Sequence, residues 1–235
     1  MSLLTICQGA LREIGEFEVP TSIIGNTNLT AVQMLNLAQR EGRELSRRHG
    51  WQVLTKEKTF STTAAAAQTG AIPSDMRYIV TATWWDRTNR WPLFGPTSAQ
   101  DWQTLNSGLL GTASAFRWFR IRGDSMLIYP TPTNTTDSIA FEYVSNQWCE
   151  TSAGVDQSAW AADTDVGLLN EELMQMGLVW RWLKAKGLKY ADEFVSYERE
   201  VDKAMARDGG APVLNMGSRN MELRGVNLAE GSWTL

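Results

Sequence analysis

Histidine is nearly absent from this sequence, with His49 the only one. One imidazole cannot supply a multi-histidine metal site. A serine or cysteine nucleophile with a histidine base would have to use it, yet no GxSxG elbow is present. His49 precedes Gly50-Trp51 at an expected helix end, where capping or packing explains it. Cysteine is almost as scarce. Cys7 falls on the apolar stripe Leu3, Cys7, Leu11 and Ile14 and reads as a core thiol, while Cys149 follows an expected strand. Two such residues leave one disulfide possible but form no framework and no CxxC zinc pattern. There is no phosphate-cradling glycine loop followed by Lys-Ser/Thr. Nor does any run approach the roughly 18–20 apolar residues that span a bilayer. The opening MSLLTICQGALREIGE lacks a basic segment and carries Glu13 and Glu16, so a secretion signal is not expected. Positive charge is short too. A net charge of −4 is unlike a protein that wraps nucleic acid, which presents a basic face.

What is present is ordinary in bulk: 43% hydrophobic and 20% charged residues, enough for one generous domain or two small ones. The clearest pattern lies at residues 163–207. Leu169, Leu173, Met176, Trp180 and Leu183 recur at steps of four and three. After Lys186-Gly187 the rhythm resumes with Tyr190, Phe194, Tyr197, Val201 and Ala204. Each set occupies one helix stripe, so an antiparallel helical hairpin with a buried seam is expected. Asp163 and Asp165 are placed at its start, where negative charge suits the helix dipole. Its acidic beginning (Glu171, Glu172) and basic end (Arg181, Lys184, Lys186) follow the same rule.

A second pair of helices is expected at the N-terminus. The first covers residues 3–15, with Ser2 as cap and Gly15 as terminator. The second starts near Thr30, where Thr30 and Gln33 fit a capping box, and carries the stripe Ala31, Leu35, Ala38, Gly42 and Leu45 to His49-Gly50. Arg40, Arg43, Arg47 and Arg48 alternate with Glu41 and Glu44 and read as a solvated face.

The middle reads as β. Residues 53–60 and 78–85 are β-prone, and residues 116–129 hold a Gly123-Asp124 hairpin turn. That turn also explains the adhesion-like tripeptide Arg122-Gly123-Asp124. Pro130 and Pro132 end the strand, and residues 138–144 alternate as a third antiparallel strand. Residues 89–115 look like loop. The expected fold is therefore α+β: a bundle of about four helices, two N-terminal and two C-terminal, with an antiparallel β insertion. The expected divisions are residues 1–52 and 160–208 for the bundle and 53–159 for the insertion. Residues 209–235 form an extended C-terminal arm.

That arm, hinged at Gly209 and Gly210, has no periodicity yet keeps Val213, Leu214, Met216, Met221, Leu223, Val226, Leu228 and Trp233. A segment so apolar needs a partner to cover it. The eleven tryptophans exceed what one core explains at Trp85, Trp91, Trp102, Trp160 and Trp233. Core plus subunit interface is the favoured reading, and a sugar-stacking surface the alternative.

The pattern as a whole resembles the podovirus-type head-to-tail adaptors of tailed bacteriophages, also called head-completion or tail tubular proteins. The resemblance rests on ALREIGE (10–16), VPTSIIG (19–25), RRHGW (47–51) and AIPSDMRYIV (71–80). It continues through the hairpin at 116–132 containing FRIRGDSMLIYPTP, then SIAFEYVS, and the helix pair at 160–194. It covers about residues 1–208 through the order of these strings, none of which is a catalytic signature. It implies a structural virion protein, made in the host bacterial cytoplasm and placed at the head–tail junction, with no catalytic, metal or cofactor-binding residues. Such proteins form a ring, usually of twelve copies, below the portal protein. The ring extends the DNA channel and offers a platform for a tail or nozzle protein. On this sequence the arm residues named above become the portal contact. Ring closure needs a heterologous interface, for which Arg43, Arg47, Glu198 and Arg199 are the candidates. The rival is a Trp-rich, carbohydrate-binding tail protein.

Overall fold

The computed structural model describes residues 2–16, 19–107, 116–133 and 135–209. Helix α1 (Leu3–Ile14) starts where the Ser2 hydroxyl accepts the Thr5 amide and stops at Gly15, whose φ of 86° suits a residue without Cβ. Helix α2 (Leu29–Arg48) is capped by Asn28, which accepts the Thr30 amide at 2.8 Å. The expected capping box at Thr30 is therefore replaced, because Asn28 already satisfies that amide and leaves Thr30 inside the helix.

After one 3-10 turn (Gln52–Leu54) come β1 (Thr55–Ser61), β2 (Ala67–Thr69), β3 (Met76–Ile79), β4 (Trp85–Asp86) and β5 (Trp91–Phe94). Helix α3 (Ala99–Asn106) follows, then β6 (Arg117–Arg122), β7 (Ser125–Tyr129) and β8 (Ser138–Ser145). The short strands β9 (Cys149–Glu150), β10 (Asp156–Gln157) and β11 (Val166–Gly167) form a separate sheet in the order β10-β9-β11. Helices α4 (Glu171–Ala185) and α5 (Ala191–Asp208) complete the described chain.

The expected fold class needs correction. Among the described residues, five helices accompany a large curled sheet of eight strands in the order β1-β8-β4-β5-β6-β7-β2, with β3 off this path and paired to β8. This is a β-rich body, not a four-helix bundle with a modest insertion. The sheet is mixed, since β5 runs parallel to β6. Residues 89–115, read as loop, contain β5 and α3. The hairpin β6–β7 forms as expected around Gly123 at φ 60°, but β8 does not extend it. Instead β8 pairs antiparallel with the whole length of β1, Thr55 opposite Val144 and Ser61 opposite Ser138.

Three hydrophobic clusters result. The largest joins α1, α2, α4 and α5. Helix α4 packs against the other three, so Leu173, Leu178, Val179, Trp180 and Trp182 are all buried on different sides of it. The hairpin seam is recovered: Leu169, Leu173, Trp180, Tyr197 and Val201 are buried, and Met176, Leu183, Tyr190, Phe194 and Ala204 pack against the same cluster. The second cluster fills the inner face of the sheet with Trp84, Leu93, Phe119, Ile128, Ile139 and Phe141. A third lies where Trp102 and Leu105 of α3 cover Leu127. Strand β8 connects the first two, burying Ile139 and Phe141 in the sheet cluster and Val144 in the helical one.

Asp163 and Asp165 also need correction. Helix α4 begins at Glu171, capped by Asn170, which accepts the Glu172 and Leu173 amides. The two aspartates instead cap loop backbone. Asp163 accepts the Ile23 and Ile24 amides at 3.0 and 2.8 Å, and Asp165 accepts those of Ala161 and Ala162 at 2.7 and 2.8 Å.

Candidate functional site

The face of α2 read as solvated is divided. Glu41 is 1% exposed because it continues the stripe Met34, Ala38, Leu45 into the helical cluster. Gly177 of α4 lies against its carboxylate so closely that a Cβ there would collide with it. Arg181, 4% exposed, donates to Glu41 at 2.5 Å and to Glu44 at 2.8 Å, and the Tyr197 hydroxyl donates to Glu41 at 2.5 Å. The Arg181 guanidinium also stacks over the Trp180 ring at 4.4 Å. Burial pushes the Glu41 carboxyl above its ordinary value despite Arg181 and Tyr197. The Tyr197 hydroxyl is pushed up by burial first, then by the neighbouring Glu41. This network ties α2, α4 and α5 together, and Arg48–Glu198 at 2.6 Å extends it.

The other side of α2 faces an open cavity of about 210 Å³ lined by Arg43, Ser46, Arg47, Arg77, Asn146, Trp148 and Ser158. Trp148 reaches it by packing over Gly42, where a Cβ would overlap the indole. Arg77, at the start of β3, donates to the Ser46 and Arg47 carbonyls at the end of α2, a cation placed on the negative end of a helix. Arg43 and Arg47 are exposed, and no carboxylate lines the cavity. Its polarity is that of an anion receptor.

A second surface lies on the sheet. Trp91 and Phe94 of β5 are 45% and 43% exposed, and both rings meet Phe116 edge-on, at 5.2 and 5.5 Å. Trp85 is exposed nearby on β4, whereas Trp102 and Trp160 are buried. Beneath that face, Arg117 binds Asp86 at 3.0 Å and Asp137 at 2.6 Å.

The four candidate interface residues are thus separated. Arg43 and Arg47 line the cavity, Glu198 is engaged by Arg48 within the chain, and Arg199 is exposed on α5. Gly209 ends α5 in extended conformation. Gly210 and the arm residues Val213, Leu214, Met216, Met221, Leu223, Val226, Leu228 and Trp233 lie outside the described residues. His49 ends α2, 3.6 Å from Asp208 and edge-on to Trp51. Cys7 and Cys149 are both buried and free, their thiols pushed up to about 12 by burial. Among the described residues, no group of histidine, cysteine, aspartate or glutamate is arranged to hold a metal, and no helix is long and apolar enough to cross a membrane.

Sequence reasoning missed Arg77 and the Glu41–Arg181 pair. Glu41 had a signal, since it interrupts an otherwise apolar stripe. Arg77 had none, because its partners are carbonyls some 30 residues away. No curated protein sequence matches this chain. A family model described as SU10 adaptor protein matches residues 1–220. With a match spanning all the described helices and strands, the chain belongs to the SU10 adaptor protein family, a family of phage head-to-tail adaptors.

Proposed function

We propose that this protein is a ring-forming subunit of the head–tail junction, seated below the portal protein, where it extends the DNA channel and carries the tail. The observation that supports this most strongly is the extent of the family match, residues 1–220. The helical body and sheet supply a platform with two chemically distinct surfaces, the arginine cavity and the exposed aromatic face. The aromatic face, centred on Trp91 and Phe94, suits a tail or nozzle protein, because exposed aromatics give large contact area at low entropy cost. Residues 211–235, with Val213, Leu214, Met216, Met221, Leu223, Val226, Leu228 and Trp233, act as the portal-docking arm, and Gly209-Gly210 is its hinge. Such an arm buries its side chains only in a groove of another protein. Twelve copies is the expected ring. A net charge of −4 suits a wall past which DNA slides, since few cations mean few phosphate contacts to break.

Electron microscopy of the full chain mixed with its cognate portal tests the reading. A symmetric ring that disappears on truncation after Gly210 is expected. A chain that ignores the portal with or without residues 211–235 would refute the arm assignment.

A further inference from the structure

Among the described residues, no carboxylate lines the arginine cavity. Among those residues too, Arg43 and Arg47 are in no ion pair; Arg43 donates to the Gln39 carbonyl, and Arg77 spends its donors on the Ser46 and Arg47 carbonyls. Trp148, 1% exposed on its wall, has an indole N–H with no acceptor. Glu41, Glu44 and Arg48 of α2 point toward α4 and α5. Arg43, about 160° around the helix from Glu41, projects from the side away from α4, and Arg47 on the next turn lines the cavity with it. Elsewhere on the helical layer, the surface of α1 and the start of α4 carries the reverse charge. Glu13 and Gln175 are joined at 3.0 Å, which places Glu13 beside Glu172 one turn earlier on α4. Glu13 and Glu172 are exposed and, among the described residues, in no ion pair, and the half-buried Glu16 follows the Gly15 terminator of α1. The patch stays acidic even with Arg12 on the same turn.

We propose that the arginine cavity is one half of a head-to-tail contact between copies of this chain. Its occupants are carboxylates from the Glu13, Glu16 and Glu172 surface of a second copy. Arginine forks bind carboxylates bidentately, and a contact between two unlike patches is heterologous, which yields a ring when its rotation closes rather than a two-fold dimer. Nucleic acid is the poorer occupant, since phosphate backbones call for a cationic track and the rest of this wall is Ser46, Asn146 and Ser158. The inference rests on the ring reading above and gives that ring its contact.

The test reverses each patch in the full chain: R43E/R47E, E13R/E172R, and the two combined. Self-association is measured by sedimentation velocity on the free protein and by electron microscopy of rings on the cognate portal. Each reversal alone is expected to weaken association about tenfold or more, and the combination to recover it to within about threefold. Rings that form normally in both single reversals, or a combination no better than either, overturn this contact while leaving the ring reading standing. A wild-type chain that stays monomeric in both settings overturns contact and ring together. Duplex DNA binding that R43E/R47E abolishes, with assembly intact, assigns the cavity to phosphate and overturns the proposal.

Discussion

Arg181→Met is the most informative single perturbation of the helical body. Arg181 is the cation that reaches Glu41, and both side chains are almost fully enclosed, at 3% and 1% exposure. Methionine fills the volume and stacks on Trp180 but leaves the carboxylate facing only the Tyr197 hydroxyl. Breaking a buried pair from one side costs about 3–5 kcal/mol, or a fall in melting temperature of about 6–20 °C for a chain of this size. Glu41 has one escape, which is to take up a proton. Starting from an ordinary value of 4.5, protonation costs about 2 kcal/mol near pH 6 and about 5 near pH 8, at roughly 1.4 kcal/mol per pH unit. A carboxyl whose folded value is raised stabilises the fold fully below its unfolded value, and that contribution is lost as pH rises toward the folded one. The damage is therefore expected to grow from about 2 kcal/mol near pH 6 to the full 3–5 near pH 8. Urea titrations at both values measure it, and Glu41→Gln in the same chain should remove the pH dependence. A loss below about 1 kcal/mol, or one equal at the two pH values, would refute the account of Glu41 as a buried ion held by Arg181.

Three further outcomes follow from the same structure. Arg117→Ala strands Asp86 and Asp137, both 2% exposed, and should destabilise the fold by about 3–5 kcal/mol, read from urea titration followed by circular dichroism. Asp75 is held below its ordinary 3.8: burial opposes this, but hydrogen bonds from Ser145 and Lys56 outweigh it. The stability it supplies is complete above about pH 4 and lost as pH falls through the lowered value. Asp75→Asn should flatten that part of the thermal stability profile. Finally, Cys7 and Cys149, with thiols pushed up to about 12, should resist Ellman's reagent near neutral pH until the chain is unfolded.

The helices were legible because each carries its own boundary signal and stripe. Ser2, Gly15 and His49-Gly50 mark ends the structure keeps, and the seam from Leu169 to Ala204 is buried or packed. The sheet was not legible, because its organising contacts are distant. β8 pairs with β1 across some 80 residues, and β5 joins β6 in parallel with α3 between them. Two-residue strands such as Trp85–Asp86 carry no period to read. Charge misled in one place. The alternation of Arg and Glu along α2 reads as solvated because helical spacing alone does not show that α4 brings an arginine to meet Glu41.

The joint between sheet and helices bears on how a subunit of the proposed ring would carry load. Lys56 of β1 donates to Asp156 at 2.6 Å, Gln147 at 2.9 Å and Asp75 at 3.3 Å, while Asp75 accepts from Ser145 at 2.8 Å and Tyr143 at 3.2 Å. One cation thereby holds β1, the end of β8, the approach to β3 and the β10 strand at one point. Arg77, two residues beyond Asp75, reaches back to the last carbonyls of α2. Sheet and helical layer are fastened by short charged bonds on both sides of the same segment, with Val144 of β8 buried between them. A load applied to the exposed aromatic face by a tail component would pass through this joint into α2. The side of α2 that receives it is the one carrying Arg43 and Arg47, where a neighbouring copy is proposed to bind.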